Sequence, residues 1–156
     1  MMDEQGTVVR DRQQLVMAQR RPVPAYSRLV MVGSIGLVGV ADNYSWIGGF
    51  GDRVWLLGLK FWYDHVAAAA PYSVAMYPFT SLTAPGSAAE ALECEPVIRY
   101  AGVAGQGLIT GCDFSREYRF RLQQLFEGNR RVFGVWVRNT GAGTVVAHAV
   151  FEVSEG

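Results

Sequence analysis

The sequence predicts an all-β protein: an antiparallel β-sandwich of about eight strands, for which a jelly roll is one form that fits. Three observations favour this class. Short segments alternate apolar and polar residues, which is the pattern of a half-buried strand. Clusters of turn-forming residues separate these segments. Long helical segments do not alternate with them, which argues against a parallel α/β sheet. The 156 residues suit one domain with a sizeable core.

The first 27 residues differ from the rest, and we predict an N-terminal arm over residues 1–27 and a sandwich domain over residues 28–156. The stretch Val8–Met17 has the pattern of a short helix, and the two prolines of "RPVP" impose an extended exit. The arm also carries several arginines: Arg10, Arg12, Arg20 and Arg21. We expect it to be disordered, or to become ordered only against another chain.

The next stretch, "SRLVMVGSIGLVGVADN", places Gly33, Gly36 and Gly39 inside an apolar run. The uncharged part is too short for a membrane span, which needs about 20 residues. The G-x-x-G-x-x-G spacing is not that of a dinucleotide-binding loop, and no amphipathic helix follows it to hold a phosphate. The stretch is therefore predicted to be strand, with the glycines at bulges or close backbone approaches.

The segment Arg53–Asp64 is the strongest predicted strand, and simple alternation makes both of its faces apolar. One face would hold Val54, Leu56, Gly58, Lys60 and Trp62, and the other Trp55, Leu57, Leu59, Phe61 and Tyr63. One face of a sandwich strand lies in the core, so the second needs another cover. The N-terminal arm, a long loop such as Ser81–Pro96 and another subunit are the candidates, and we favour another subunit. We expect Trp55→Ser and Trp62→Ser to differ: one variant unfolds and the other only dissociates.

The remaining elements follow from the same patterns. We predict a strand in "YSVAMYPF" that Pro78 ends or places at an edge, then a loop with one helical turn over Ala88–Leu92. Two short strands lie in "PVIRYAG" and "QGLITG". "REYRFRLQQLF" is a half-buried strand, and "RRVFGVWVRNTGAGTVVAHAVFEVS" is predicted to be a hairpin with its turn near Asn139–Gly143. Alternation in its second strand puts five residues on one face: Val145, Ala147, Ala149, Phe151 and Val153.

Composition favours association with other chains. Half of the residues are hydrophobic, 18% are charged and the formal net charge is zero, so little repulsion keeps copies apart. The balance argues against a nucleic-acid binder, except through the arginines of the arm. The N-terminus lacks the pattern of a signal peptide. We therefore expect a protein made in the cytoplasm, and either kept there or built into a particle.

The sequence offers few groups for catalysis. His65 and His148 are the two histidines, enough only for a two-histidine, one-carboxylate metal set, as in a small cupin-like enzyme. Asp64-His65 and Cys112-Asp113 contain residue types of a catalytic triad, but nothing in their spacing along the sequence brings the two pairs together. Cys94 and Cys112 are expected to be free thiols. We predict no catalytic, cofactor-binding or metal-ligating residue, and no cofactor.

The aromatic residues Tyr44, Trp46 and Phe50 lie in a glycine-rich loop. Exposed, they would form a platform for stacking on sugar rings, which makes a carbohydrate- or receptor-binding module the main alternative. The simpler interpretation is packing in the core or at an interface.

In this organisation the chain resembles the structural β-sandwich proteins of virions, of the bacteriophage capsid, decoration or tail-associated type. The C-terminal "RRVFGVWVRNTGAGTVVAHAVFEVS" looks like the closing hairpin of such proteins. The resemblance implies a non-enzymatic assembly function in a virion. The implied partners are further copies of the chain, held by apolar faces and the N-terminal arm, and other structural proteins of the same particle.

Overall fold

The computed structural model describes residues 26–67, 72–98, 107–113, 116–127 and 130–155. The predicted arm lies outside the described residues, apart from its last two. The described chain is mostly strand and confirms the all-β prediction. Its elements are β1 (Arg28–Met31), β2 (Ile35–Val38), β3 (Ala41–Ile47), β4 (Arg53–Ala67), β5 (Val74–Ser81), α1 (Ala88–Glu93), β6 (Glu95–Pro96), β7 (Ile109–Cys112), β8 (Tyr118–Glu127), β9 (Val132–Asn139) and β10 (Thr144–Glu155).

The strands form two antiparallel sheets. Sheet A has the order β1-β10-β4-β8, with β2 also on β10, and sheet B has the order β3-β9-β5-β6, with β7 also on β5. The first strands thus pair with the last: β1 and β2 with β10, β3 with β9, and β4 with β8. This is one long hairpin rolled into two layers, the order of a jelly roll. Since β1 and β2 share one edge position, and β6 and β7 another, the ten strands fill eight positions.

The core lies between the two sheets. Strand β10 shows the predicted alternation, and its inward residues are all buried: Val145, Ala147, Ala149, Phe151 and Val153. Phe133 of β9 meets Phe50 and Phe126 edge to face, with ring centroids 5.3 and 5.5 Å apart. Strand β8 is half buried as predicted, with Tyr118, Phe120 and Leu122 against the core. Within the described ranges, no helix is long and apolar enough to span a membrane.

The two faces predicted for β4 are wrong beyond its middle, because a β-bulge interrupts the alternation. The pairing with β10 shifts register between Leu56 and Gly58, so that Leu57 is an extra residue on β4. On the other side two residues of β8, Leu122 and Gln123, stand opposite Leu57. Before the bulge, even-numbered residues face the core; after it, Leu59, Phe61 and Tyr63 do. Trp55 and Trp62 therefore lie on the same outer face, and the expected contrast between their serine variants does not hold.

The predicted C-terminal hairpin is also wrong, although its turn is placed correctly. β9 belongs to sheet B and β10 to sheet A, so residues 140–143 carry the chain from one sheet to the other. The Asn139 side chain fixes the crossing by donating to the carbonyls of Gly39 and Gly141, each at 3.1 Å. β9 is buried on both faces, which places it inside a sheet rather than in a two-stranded ribbon.

The glycine-rich run after Ser27 is strand, as predicted. It supplies β1, β2 and the start of β3, with breaks at residues 32–34 and at Gly39. Gly39 has a φ of 65°, a conformation that favours glycine. Its N–H donates to the carbonyl of Gly143 at 2.7 Å, which ties this break to the crossing between the sheets.

The predicted helical turn is confirmed as α1, whose N-cap is Ser87. Pro78, however, lies inside β5 and does not end it. The strand continues through Pro78 because this residue lies between the part of β5 that pairs with β6 and the part that pairs with β7. There the Pro78 carbonyl accepts from the Val97 N–H at 3.1 Å. Of the strands predicted in "PVIRYAG" and "QGLITG", the described residues show β6 just before the first and β7 in the second.

Candidate functional site

The outer face of sheet A, here called the open face, is the main candidate for a functional surface. Its edge strand exposes Leu29 by 74% and Met31 by 57%. Half-buried side chains continue the surface across the two central strands: Trp55, Leu57, Lys60 and Trp62 of β4, and Val146, His148, Val150 and Glu152 of β10. None of the described elements lies over this face. Exposed apolar side chains bordered by polar ones, as here by Lys60, His148 and Glu152, typically mark a contact site.

The outer face of sheet B, here called the covered face, is closed by its own chain. A second apolar cluster joins Ala75, Tyr77, Phe79 and Trp136 of the sheet to Ala91 of α1, and Trp136 is only 1% exposed. The cover is held by hydrogen bonds. The Tyr77 hydroxyl donates to the Cys94 carbonyl at 2.6 Å, and the Ser87 hydroxyl caps α1 by accepting from the Glu90 N–H at 3.2 Å.

A groove of about 900 Å³ crosses the open face at the bulge of β4. Gly58 forms part of its floor; a Cβ atom there would come within 3.2 Å of the Phe120 carbonyl oxygen and 3.4 Å of a Glu152 carboxylate oxygen. The charged residues that line the groove are Lys60, Arg119, Arg121 and Glu152. The groove therefore combines apolar walls with charges of both signs.

Two of these cations share one carboxylate. Glu117 accepts from the Lys60 ammonium and the Arg119 guanidinium, each at 2.7 Å. Hydrogen bonds from Lys60 and then Arg119 lower the pKa of the Glu117 carboxyl below its usual value. Lys60 also lies over the Trp62 ring, 5.1 Å from its centroid.

His148 stands at the centre of a hydrogen-bonded chain on the open face. Its Nε2 lies 2.9 Å from an Asp64 carboxylate oxygen, and its Nδ1 lies 3.3 Å from the Ser34 hydroxyl. The imidazole stacks on Trp62 with ring centroids 5.1 Å apart. Sequence reasoning missed this set, because joining Asp64 to His148 requires the register of β10 on β4, in which His148 opposes Trp62.

The hydrogen-bonded residues Ser34, His148 and Asp64 are of the types found in an acyl-transfer triad. None of the three lines the groove, and Ser34 lies in the break between β1 and β2. There the hydrogen bonds fasten the interrupted edge strand to β10. The described residues hold no group of three or more side chains suited to binding a metal.

The other residues singled out from the sequence lie apart. His65 is in β4 opposite Val145, three positions from His148 along β10, and its side chain is not among those described. Cys94 and Cys112 are free thiols, as expected. Burial raises the pKa of the Cys112 thiol to about 12, so this group is not a reactive thiolate.

The aromatic residues at 44–50 do not form one exposed platform. Phe50 is buried in the core, and Tyr44 packs against the cluster of the covered face. Trp46 is the most exposed of the three, at 43%. A sugar-stacking surface built from all three side chains is therefore not present.

Comparisons with known proteins give little. No family model and no curated protein matches the chain. Among solved structures, the chain is similar to the crystal structure of Aeromonas hydrophila PliG, a periplasmic lysozyme inhibitor of g-type lysozyme. The identity is 15%, the match covers 83% of this chain and 86% of that one, and the TM-score is 0.32. A likeness this low carries no argument about function.

Proposed function

We propose that this is a non-enzymatic structural protein that self-associates through the open face, as a component of a virion. The observation that supports this most is the contrast between the two outer faces. The chain closes the covered face with α1 and the loop around it. It leaves Leu29, Met31 and the half-buried tryptophans of the open face without a cover from any described element.

The occupant of the open face is a second copy of this chain. The formal net charge is zero, so copies do not repel one another over long range. The groove carries cations and an anion together, which lets one copy meet the charges of another with opposite signs. A surface that contacts itself must be complementary in this way.

The placement in a virion rests on a fold-level analogy. Jelly rolls build many viral capsid proteins, although the same fold also serves lectins and cupins. The arm, which lies outside the described residues, would tie neighbouring copies together. In agreement with this, the chain joins the sandwich beside the open face: Tyr26 accepts a hydrogen bond from Ser154 through its carbonyl, and the Ser27 hydroxyl donates to Glu152 at 2.8 Å.

Sedimentation equilibrium of the purified full chain over a range of concentrations tests the proposal. We expect masses well above the 17.1 kDa of one chain. A chain without residues 1–25 is expected to fold and to associate less strongly. A full chain that stays monomeric up to high concentration would contradict self-association. If the chain without residues 1–25 associates equally well, the arm does not contribute to association, and the open face remains as the contact surface.

A further inference from the structure

We propose that two copies pair face to face across a two-fold axis that runs along β4, so that Arg121 of each copy meets Glu152 of the other. This inference rests on the proposed self-association and names the contact that fixes the relative orientation of the two copies. It concerns one pairwise contact and is compatible with a larger particle built from such pairs.

The sheet register places the two residues symmetrically. Gly58 is opposite Glu152 on β10 and opposite Arg121 on β8. Adjacent strands are about 4.8 Å apart, so the two residues flank Gly58 at similar distances on either side. A two-fold axis along β4 in the interface plane exchanges these two positions. It therefore sets each Arg121 over a Glu152, and both contacts form at once.

The charges at these positions are available for such a contact. Of the four charged residues that line the groove, Lys60 and Arg119 already bind Glu117. Arg121 and Glu152 have no ion-pair partner within the described parts of the chain. Glu152 accepts one hydrogen bond, from Ser27, which leaves further lone pairs for a guanidinium.

The shape of the face suits this axis. Packed sheets lie about 10 Å apart, a gap that an arginine and a glutamate side chain can bridge together. Gly58 adds no side chain on the axis, and the adjacent Leu57 is placed to meet its own copy. The alternative axis, across the strands at β8, brings Arg121 of one copy onto Arg121 of the other, and these like charges disfavour it.

Charge reversal in the full chain tests the pairing. The variants are Arg121→Glu and Glu152→Arg, each measured alone by sedimentation equilibrium, then mixed in equal amounts, with Arg121→Glu/Glu152→Arg as the swapped double variant. We expect each single variant to associate at least tenfold more weakly than the wild type. In the mixture all charges are complementary again, so it and the double variant are expected to associate within about threefold of the wild type.

Arg138→Glu and Glu93→Arg are matched controls, since they change the net charge equally but lie on sheet B and α1. Both are expected to associate as the wild type does. If Arg121→Glu and Glu152→Arg associate normally, or if their mixture is no tighter than either alone, the pairing is wrong. Should either reversal fail to fold, Arg121→Gln, Glu152→Gln and the double Gln variant replace them, and additive losses would overturn the pairing. A monomeric wild type would instead overturn the proposed function.

Discussion

The covered face of sheet B and the open face of sheet A both carry large aromatic side chains and differ in what lies over them. Each presents a large aromatic residue from a central strand: Trp136 on β9 and Trp62 on β4. Trp136 lies beneath α1, whereas among the described residues the Trp62 ring is contacted by the His148 imidazole and the Lys60 ammonium. A strand that is apolar on both faces needs two covers, and in this fold the chain itself supplies the second cover for one sheet.

The two faces therefore contribute to different free energies, one of folding and one of association. Apolar burial on the covered face contributes to the stability of one chain, whereas burial on the open face contributes only when another chain arrives. The same kind of substitution should therefore change different observables on the two faces.

The largest effect is expected from Trp136→Ala measured beside Trp62→Ala. Loss of the buried Trp136 ring should lower the free energy of unfolding by about 3–5 kcal/mol, because it leaves a cavity under α1. Loss of the half-exposed Trp62 ring should cost a dilute single chain less than about 1.5 kcal/mol. Urea unfolding at low protein concentration measures both. Equal losses would mean that the two faces are equally closed.

The second prediction replaces the expected contrast between the serine variants on β4. Because the bulge puts both tryptophans on the open face, Trp55→Ser and Trp62→Ser should both fold, and both should weaken association. Each side chain contributes about 1.5–3 kcal/mol when fully buried, so each association constant should fall by roughly 10- to 100-fold. Circular dichroism checks the fold and sedimentation equilibrium checks the association. If either variant unfolds, the tryptophan that it lacks belongs to the core and not to the open face.

The third prediction compares the interior with the covered face through the two thiols. The folded pKa of Cys112 is raised by burial to about 12, while the unfolded thiol ionises near 9. The unfolded state therefore loses this proton first, and stability falls as pH rises above about 9. At pH 10 the loss is roughly 1 kcal/mol. In Cys112→Ala this part of the slope should be absent.

Alkylation of the thiols provides the control. Cys94, at the end of α1, is only half-buried, so it should react with iodoacetamide in the native protein, whereas Cys112 should react only after unfolding. If both thiols react at the same rate in the native state, the interior is no tighter than the covered face, and the pH prediction loses its basis.

The smallest effect is expected at the cap of α1. Ser87→Ala removes the acceptor for the Glu90 N–H, and this should cost about 1 kcal/mol of stability. Ser87→Asp keeps an acceptor at the cap and should restore most of the loss. If Cys94 is alkylated faster in Ser87→Ala but not in Ser87→Asp, the loss of stability lies in α1 and the loop that cover sheet B. If Ser87→Asp is destabilised as much as Ser87→Ala, the hydroxyl acts through some other contact.

The sequence predicted what depends on local alternation and missed what depends on register. The five inward residues of β10 were correctly placed because alternation runs unbroken from Val145 to Val153. On β4 the single extra residue, Leu57, inverts the pattern, and nothing local distinguishes it from an ordinary strand residue. The C-terminal turn was found, but its glycines serve a crossing between sheets as well as they would serve a hairpin.

The candidate site was the least predictable part for the same reason. Ser34, Asp64 and His148 come from three distant segments, and Arg121 and Glu152 become neighbours of Gly58 only through the pairing of β8 and β10 with β4. A one-residue slip in any of these registers would send the side chains to the opposite face. Composition alone pointed to association, without saying which face is involved.

Oxidative footprinting of the four tryptophans identifies the surface through which copies associate, because the fold places one or two of them in each environment. Trp55 and Trp62 lie on the open face, Trp136 lies beneath the cover and Trp46 is 43% exposed on β3. Hydroxyl-radical labelling of the full chain is compared at high dilution and at a concentration where it is associated. We predict that labelling of Trp55 and Trp62 falls on association, while Trp46 stays reactive and Trp136 stays unreactive. Protection of Trp46 with unchanged labelling of Trp55 and Trp62 would contradict the assignment of the open face as the contact surface.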